Sequence, residues 1–155
     1  MKKYSLLAAV AMLTVGSFTS CSKDDDPNPV TKTELLTAHN WRISSFTVKL
    51  GSAPIEDIYK DSPKCQQDDF YQFKTDKTFV FDQGKERCDP TEPQTTVSGW
   101  DINADGTILL LLEMKGTTSA ELYEIKELTK DKLRIGQTLT EDGESLMAEI
   151  TFTGL

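Results

Sequence analysis

The chain has one histidine, His39, and three cysteines, Cys21, Cys65 and Cys88. Zinc chemistry and a serine triad therefore find no obvious set of members, and His39 reads as a loop anchor. Positive charge is also short, with 17 Lys and Arg against 25 Asp and Glu and a net charge of −8. Nucleic acid and anionic lipid head groups would repel such a surface. No apolar run reaches the roughly 20 residues that a membrane-spanning helix needs. The longest candidate, Leu6 to Val15, is half that. Repeats of solenoid length are missing too, as is any second helix-rich region.

What is present begins with an export signal. Lys2 and Lys3 precede the apolar stretch, and the small-residue run Gly16-Ser17-Phe18-Thr19-Ser20 leads to Cys21. A basic start, a short apolar region and a cleavage site make a secretory leader, which takes no part in the fold. Phe18-Thr19-Ser20-Cys21 resembles a bacterial lipobox, with Cys21 as the lipidation site. Two or more acyl chains there would anchor the protein stably, at about 0.8 kcal/mol per buried methylene. Ser22-Lys23-Asp24-Asp25-Asp26 resembles the acidic export signal of surface lipoproteins in Bacteroides-type bacteria. By charge alone it is an extended, solvated tether, continued by Pro27-Asn28-Pro29.

These readings divide the chain into a lipoprotein signal peptide at 1–20, a flexible acidic tether at 21–32 and one domain at 33–155. Loss of Lys2 and Lys3 takes the net charge from −8 to −10. A domain of this size can bury a core without metal. With Cys21 taken by lipid, Cys65 and Cys88 remain, and an oxidising compartment implies a disulfide between them. The expected location is the outer membrane, lipid-anchored and cell-surface exposed, with the periplasmic face as the second choice.

Thr33 to His39 predicts a short helix with Thr33 as N-cap; seven residues must pack on something to persist. Strands follow at 41–50, 70–74, 78–82, 97–103, 107–114, 120–128, 132–140 and 145–153. Most are joined by short turns such as Thr75-Asp76-Lys77 and Thr129-Lys130-Asp131. Phe79 and Phe81 alternate with Val80 and Asp82. Leu133 and Ile135 alternate with Lys132 and Arg134, and Ala148, Ile150 and Phe152 with Glu149, Thr151 and Thr153. Period-two alternation suits an antiparallel sheet with one wet face. Eight sequential strands predict an all-β, antiparallel up-and-down barrel, since closure removes the sticky edges.

Ile108 to Leu112 is apolar on both faces. Ile108, Leu110 and Leu112 are expected to point inward, leaving Leu109 and Leu111 outside under a cover such as Leu35 and Leu36. Two long loops, 51–68 and 83–96, flank the second and third strands and hold one cysteine each. A Cys65–Cys88 bridge would staple them at one end of that hairpin. Ile55, Ile58 and Tyr59 predict a packed flap in the first loop.

Several constellations have bland explanations. Asp101-Ile102-Asn103-Ala104-Asp105-Gly106-Thr107-Ile108 matches the start of a calcium-binding helix-loop-helix motif. Its twelfth position, however, is Leu112 where a bidentate glutamate is needed, so a hairpin turn is expected. Glu121, Glu124, Glu127 and Glu149 read as a solvated outer face rather than a catalytic pair. No catalytic residues, metal or cofactor are expected.

A helix, Trp41 opening the first strand and then eight strands together resemble the bacterial lipocalin-like lipoproteins. The resemblance covers about Leu35 to Leu155. It is carried by Leu36 through Trp41, by Cys65-Gln66-Gln67-Asp68-Asp69-Phe70-Tyr71-Gln72-Phe73 and by Thr75-Asp76-Lys77-Thr78-Phe79. Cys88, Gly99-Trp100, Tyr123-Glu124-Ile125 and Lys132-Leu133-Arg134-Ile135 complete it. It implies a lipocalin-like calyx for a small apolar or amphipathic molecule, and no enzyme. Trp41, Phe79, Phe81 and Phe152 are then the candidate ligand-contacting residues. Alternatively the same aromatics fill the lumen, and a solid barrel serves as a protein-interaction module in an envelope complex.

Overall fold

In the computed structural model, the described residues are 30–112, 119–141 and 143–155. The expected leader, the lipidation site Cys21 and the tether as far as residue 29 lie outside them. Chain order begins with helix α1 (Lys32–Thr37), strand β1 (Asn40–Leu50), a two-residue strand β2 (Glu56–Asp57), a 3-10 turn (Ile58–Asp61) and α2 (Lys64–Gln67). It continues with β3 (Phe70–Phe73), β4 (Thr78–Asp82), β5 (Thr95–Ile102), β6 (Ile108–Leu112), β7 (Ala120–Leu128), β8 (Lys132–Glu141) and β9 (Glu144–Gly154).

The N-cap of helix α1 lies two residues before the expected one, because Thr31 rather than Thr33 caps it. The Thr31 hydroxyl accepts from the Glu34 amide, and the Glu34 carboxylate accepts from the Thr31 amide. Such reciprocal capping satisfies two donors that the first turn leaves free.

Strand order is β1-β3-β4-β5-β6-β7-β8-β9, and β9 pairs back onto β1 over Trp41–Leu50, so the sheet closes on itself. Every pairing is antiparallel, and every expected strand is present. The barrel thus has eight main strands, while β2 pairs with Thr47 and Val48 on the edge of β1. β3 meets β1 only at Asn40 and Trp41. The β1–β3 loop packs across the edge between these contacts. The Asp57 carboxylate accepts from the Ser45 hydroxyl and from the amides of Phe46 and Tyr59. The flap is therefore pinned by a carboxylate. Ile55 and Ile58 are exposed, not the apolar anchors expected of them.

The core lies against α1. Leu36, Trp41, Phe73, Phe79, Trp100, Leu109, Tyr123, Leu133, Ile135 and Phe152 form one buried cluster. Leu109 belongs to it and Leu111 packs against it, the reverse of the expected facing. A run of five apolar residues carries no alternation, so pairing decides. Leu111 lies opposite Trp100, and Leu109 opposite both Ile102 and Tyr123. Residues directly across a ladder share a face.

The β5–β6 connection is the hairpin turn expected of it, closed by its own side chains. The Asn103 side-chain carbonyl accepts from the amides of Thr107 and Ile108, and the Asp105 carboxylate accepts from Thr107. Gly106 takes the left-handed conformation with φ 69°, which glycine tolerates best.

Candidate functional site

The two ends of the barrel differ. At one end α1 lies across the strands. The Trp41 indole N–H donates to the Leu36 carbonyl at 2.8 Å, and both side chains are fully buried. The Trp100 indole N–H donates to the Lys74 carbonyl at 3.0 Å. Each buried indole therefore has a backbone acceptor, as burial of a polar handle requires. His39 sits edge-on to Trp41 with ring centres 6.1 Å apart.

Above this plug the expected ligand aromatics gather. Tyr71 stacks on Phe79 at 6.0 Å, lies 5.4 Å from Phe81 and meets Phe152 edge-on at 5.5 Å. Phe79 and Phe152 are buried, and Phe81 is half-buried. Trp41 belongs to the plug below, away from any open surface. Burial of its ring pushes the Tyr71 phenol well above the ordinary tyrosine range, and nearby Asp69 adds to the shift.

The opposite end is open, and its features were not singled out from the sequence. Continuing the inward face of β9 from Phe152 gives Ile150, Ala148 and Leu146. The partners in β8 are Leu133, Ile135, Gln137 and Leu139, and in β1 Ile43, Phe46, Val48 and Leu50. Burial falls along each strand. Leu133 and Ile135 are fully buried, whereas Leu139 is 52%, Leu50 54% and Leu146 36% exposed. Three adjacent leucines thus line the inner rim uncovered. Simple extension of the period-two pattern from Ile135 and Ile150 would have found two of them.

Two polar groups sit at this end. Glu121 accepts a hydrogen bond from the Tyr123 hydroxyl, so it shares the inward face rather than the expected outer one. Burial, then the bond to Glu121, raises the Tyr123 phenol above its usual range. Asp69 precedes β3, and its carboxyl is pushed up to about 6 by burial first and then by the charges of Asp68 and Asp82. One oxygen of Asp69 is buried without a hydrogen-bond partner, as is Nε of Arg42.

The expected disulfide is present. Cys65 and Cys88 are bonded, with Cα atoms 5.2 Å apart, and join the two long loops beside this open end. Asp68 reinforces the joint, because its carboxylate accepts from the amides of Lys85 and Glu86.

A second concavity runs through the wall. β7 pairs with β8 only from Leu128 back to Glu124, which faces Gly136. Beyond Gly136, β8 stays with β9 while β7 stays with β6. The crease where they part is a groove of about 700 Å³ that opens into the mouth, since its lining joins Leu122, Thr138 and Met147 of the outer face to Val48, Leu139 and Ala148 of the inner one.

Eight antiparallel strands in sequential order, closure of the last on the first, and a leading helix pinned to a tryptophan at the closed end are now all in place. The architecture is the closed up-and-down barrel expected from the sequence. Among solved structures it is similar to a lipocalin-like protein from Bacteroides uniformis, at 10% identity and a TM-score of 0.45, over 78% of this chain and 99% of that one. It is also similar to a bovine odorant-binding protein in complex with a selenium-containing odorant. That likeness has 13% identity and a TM-score of 0.41, over 84% of this chain and 76% of that one. No family model matches the sequence, and no curated protein matches it.

Proposed function

We propose that this protein is a membrane-anchored extracytoplasmic lipoprotein whose lipocalin-like barrel takes up a small apolar or amphipathic molecule at its open end. One observation supports the binding role above others: Leu50, Leu139 and Leu146 face inward yet remain exposed. Apolar surface left wet on a concave face gains about 25 cal/mol per Å² when a ligand covers it. Phe81, Tyr71 and Phe152 would form the floor. Glu121 and Asp69 would meet a polar head group. The role is binding rather than catalysis, and no cofactor is required.

The anchor in this reading is acylated Cys21, with the acidic tether directing the protein to the outer face of the outer membrane. Radiolabelled palmitate should enter the wild-type protein and not Cys21→Ser. Native mass spectrometry of protein purified from its own host tests the binding role. A co-purifying lipid or other apolar molecule, lost in Leu139→Glu, supports it. A bare protein mass, with no dansylated fatty acid taken up on titration, argues for the second reading. In that reading the barrel is an interaction module in an envelope complex, and the complete burial of Trp41, Leu36, Leu109, Leu133 and Ile135 at the closed end is what favours it.

A further inference from the structure

Among the described residues, the crease between β7 and β8 leaves a strand edge without a partner, and hydrogen-bond direction shows which groups face it. The Gly51 amide donates to the Ser145 carbonyl at 2.8 Å, one pair beyond Leu50–Leu146. Bonding direction alternates along an antiparallel strand. Ser145 and Met147 therefore bond to β1, while Leu146 and Ala148 bond to β8 through Leu139 and Gln137. The amides and carbonyls of Thr138 and Thr140 consequently point the other way, toward β7. The same rule applied to Ile125, whose amide donates to the Thr107 carbonyl at 2.7 Å, aims the backbone of Glu124 and Leu122 at β8. Glu124 finds Gly136 there, and above that pair the ladder stops.

We propose that this edge of β8 is a docking site for an extended peptide segment of a partner protein, which adds a strand beside Thr138 and Thr140. Exposed donors and acceptors in a row are satisfied by another backbone, which a small apolar ligand cannot supply. The groove offers exposed Leu122, Met147 and Ile55 for apolar side chains on alternate positions. Within the lining Glu124 pairs with Lys126, and Glu149 pairs with Arg134 beside it, so the local charges largely balance and the net charge of −8 on the whole chain sets the preference. The preferred segment is therefore one that alternates apolar with basic residues. The groove shares Val48, Leu139 and Ala148 with the barrel mouth, but the strand edge follows from backbone pairing and does not rest on the ligand reading.

The test uses a fluorescent octapeptide alternating Lys and Val, with two controls. One is the same peptide N-methylated at every second residue, and the other alternates Glu and Val. Amide hydrogen exchange by NMR should show Thr138 and Thr140 slowed at least tenfold by the first peptide and by neither control. Gln137 and Leu139, already bonded to β9, should not change. Leu122→Lys, at an exposed position, should weaken binding at least tenfold and leave fatty-acid uptake at the mouth intact. Thr138→Pro, which removes a donor aimed at the crease, should do the same. Three results would overturn the proposal. The Thr138 and Thr140 amides could already be protected in the dilute protein. The N-methylated peptide could bind as well as its parent. Protection could instead appear with rising protein concentration alone, alongside a dimer in sedimentation, which would give the edge to a second copy of the chain.

Discussion

The Trp41 indole donates to the Leu36 carbonyl, which joins the first residues of β1 to the last turn of α1 at the closed end of the barrel. A six-residue helix is too short to hold itself. Its stability comes from this bond and from the burial of Leu36. Trp41→Phe should cost about 1–3 kcal/mol, because it leaves a buried carbonyl without its donor. Leu36→Ala should cost about 2–5 kcal/mol. The double variant should lose less than the sum, since the two residues share one contact. Denaturant melts of the three variants measure this, and strict additivity would mean the helix is not held by that pair.

The Cys65–Cys88 bond closes a loop of 23 residues in sequence separation. Replacing both cysteines with serine should lower stability by roughly 3 kcal/mol on the chain-entropy model. Far-UV dichroism should still report a barrel, because neither loop supplies a main strand. An unchanged melting temperature under oxidising conditions would show that Asp68 and its amide partners hold the loops unaided.

Asp69 should make stability depend on pH in an unusual direction for a carboxylate. Its folded pKa, about 6, lies above the ordinary 3.8. The folded state therefore holds the proton more tightly than the unfolded chain does. Protonated Asp69 contributes fully at low pH, and that contribution is lost as pH rises from about 4 through 6. Asp69 is only partly buried, so solvent screening reduces the effect to on the order of 1 kcal/mol. Asp69→Asn should accordingly melt higher than wild type at pH 7.5, and the two should converge below pH 4. Parallel melting curves across that range would remove the effect.

The leucine rim predicts a separation of binding from stability. Leu50→Glu, Leu139→Glu and Leu146→Glu change exposed positions. Each should alter stability by no more than about 0.5 kcal/mol. Each should also weaken uptake of a dansylated fatty acid at least tenfold, as a fluorescence titration reads it. Phe79→Ala, in the packed interior, should do the opposite by costing about 3–5 kcal/mol of stability. If rim variants bind as wild type does, the mouth is not the site.

Much of this architecture was legible in the sequence because period two is a local property. Leu133 and Ile135, or Ile150 and Phe152, identify their own inward face without reference to any neighbour. The disulfide was legible too, once the expected leader and lipidation of Cys21 left two cysteines to pair. Leu109 and Leu111 were misread for the complementary reason: five apolar residues in a row define no face, and Trp100 and Tyr123 across the ladder had to choose one. Thr31 displaced Thr33 as N-cap because Glu34 reaches back to it, a matter of two residues of register. Glu121 looked like surface charge until its strand-mate Tyr123 turned out to be buried beside it.

Chain chemistry alone therefore determined an acidic, cross-linked, all-β domain with aromatic side chains sent inward, since those properties depend on residue type and spacing. Only the tertiary structure decided where the wall parts at Gly136 and which leucines stay wet at the rim. Both depend on where one strand stops pairing with the next, and that is settled by the closure of the whole cylinder, not by any strand on its own.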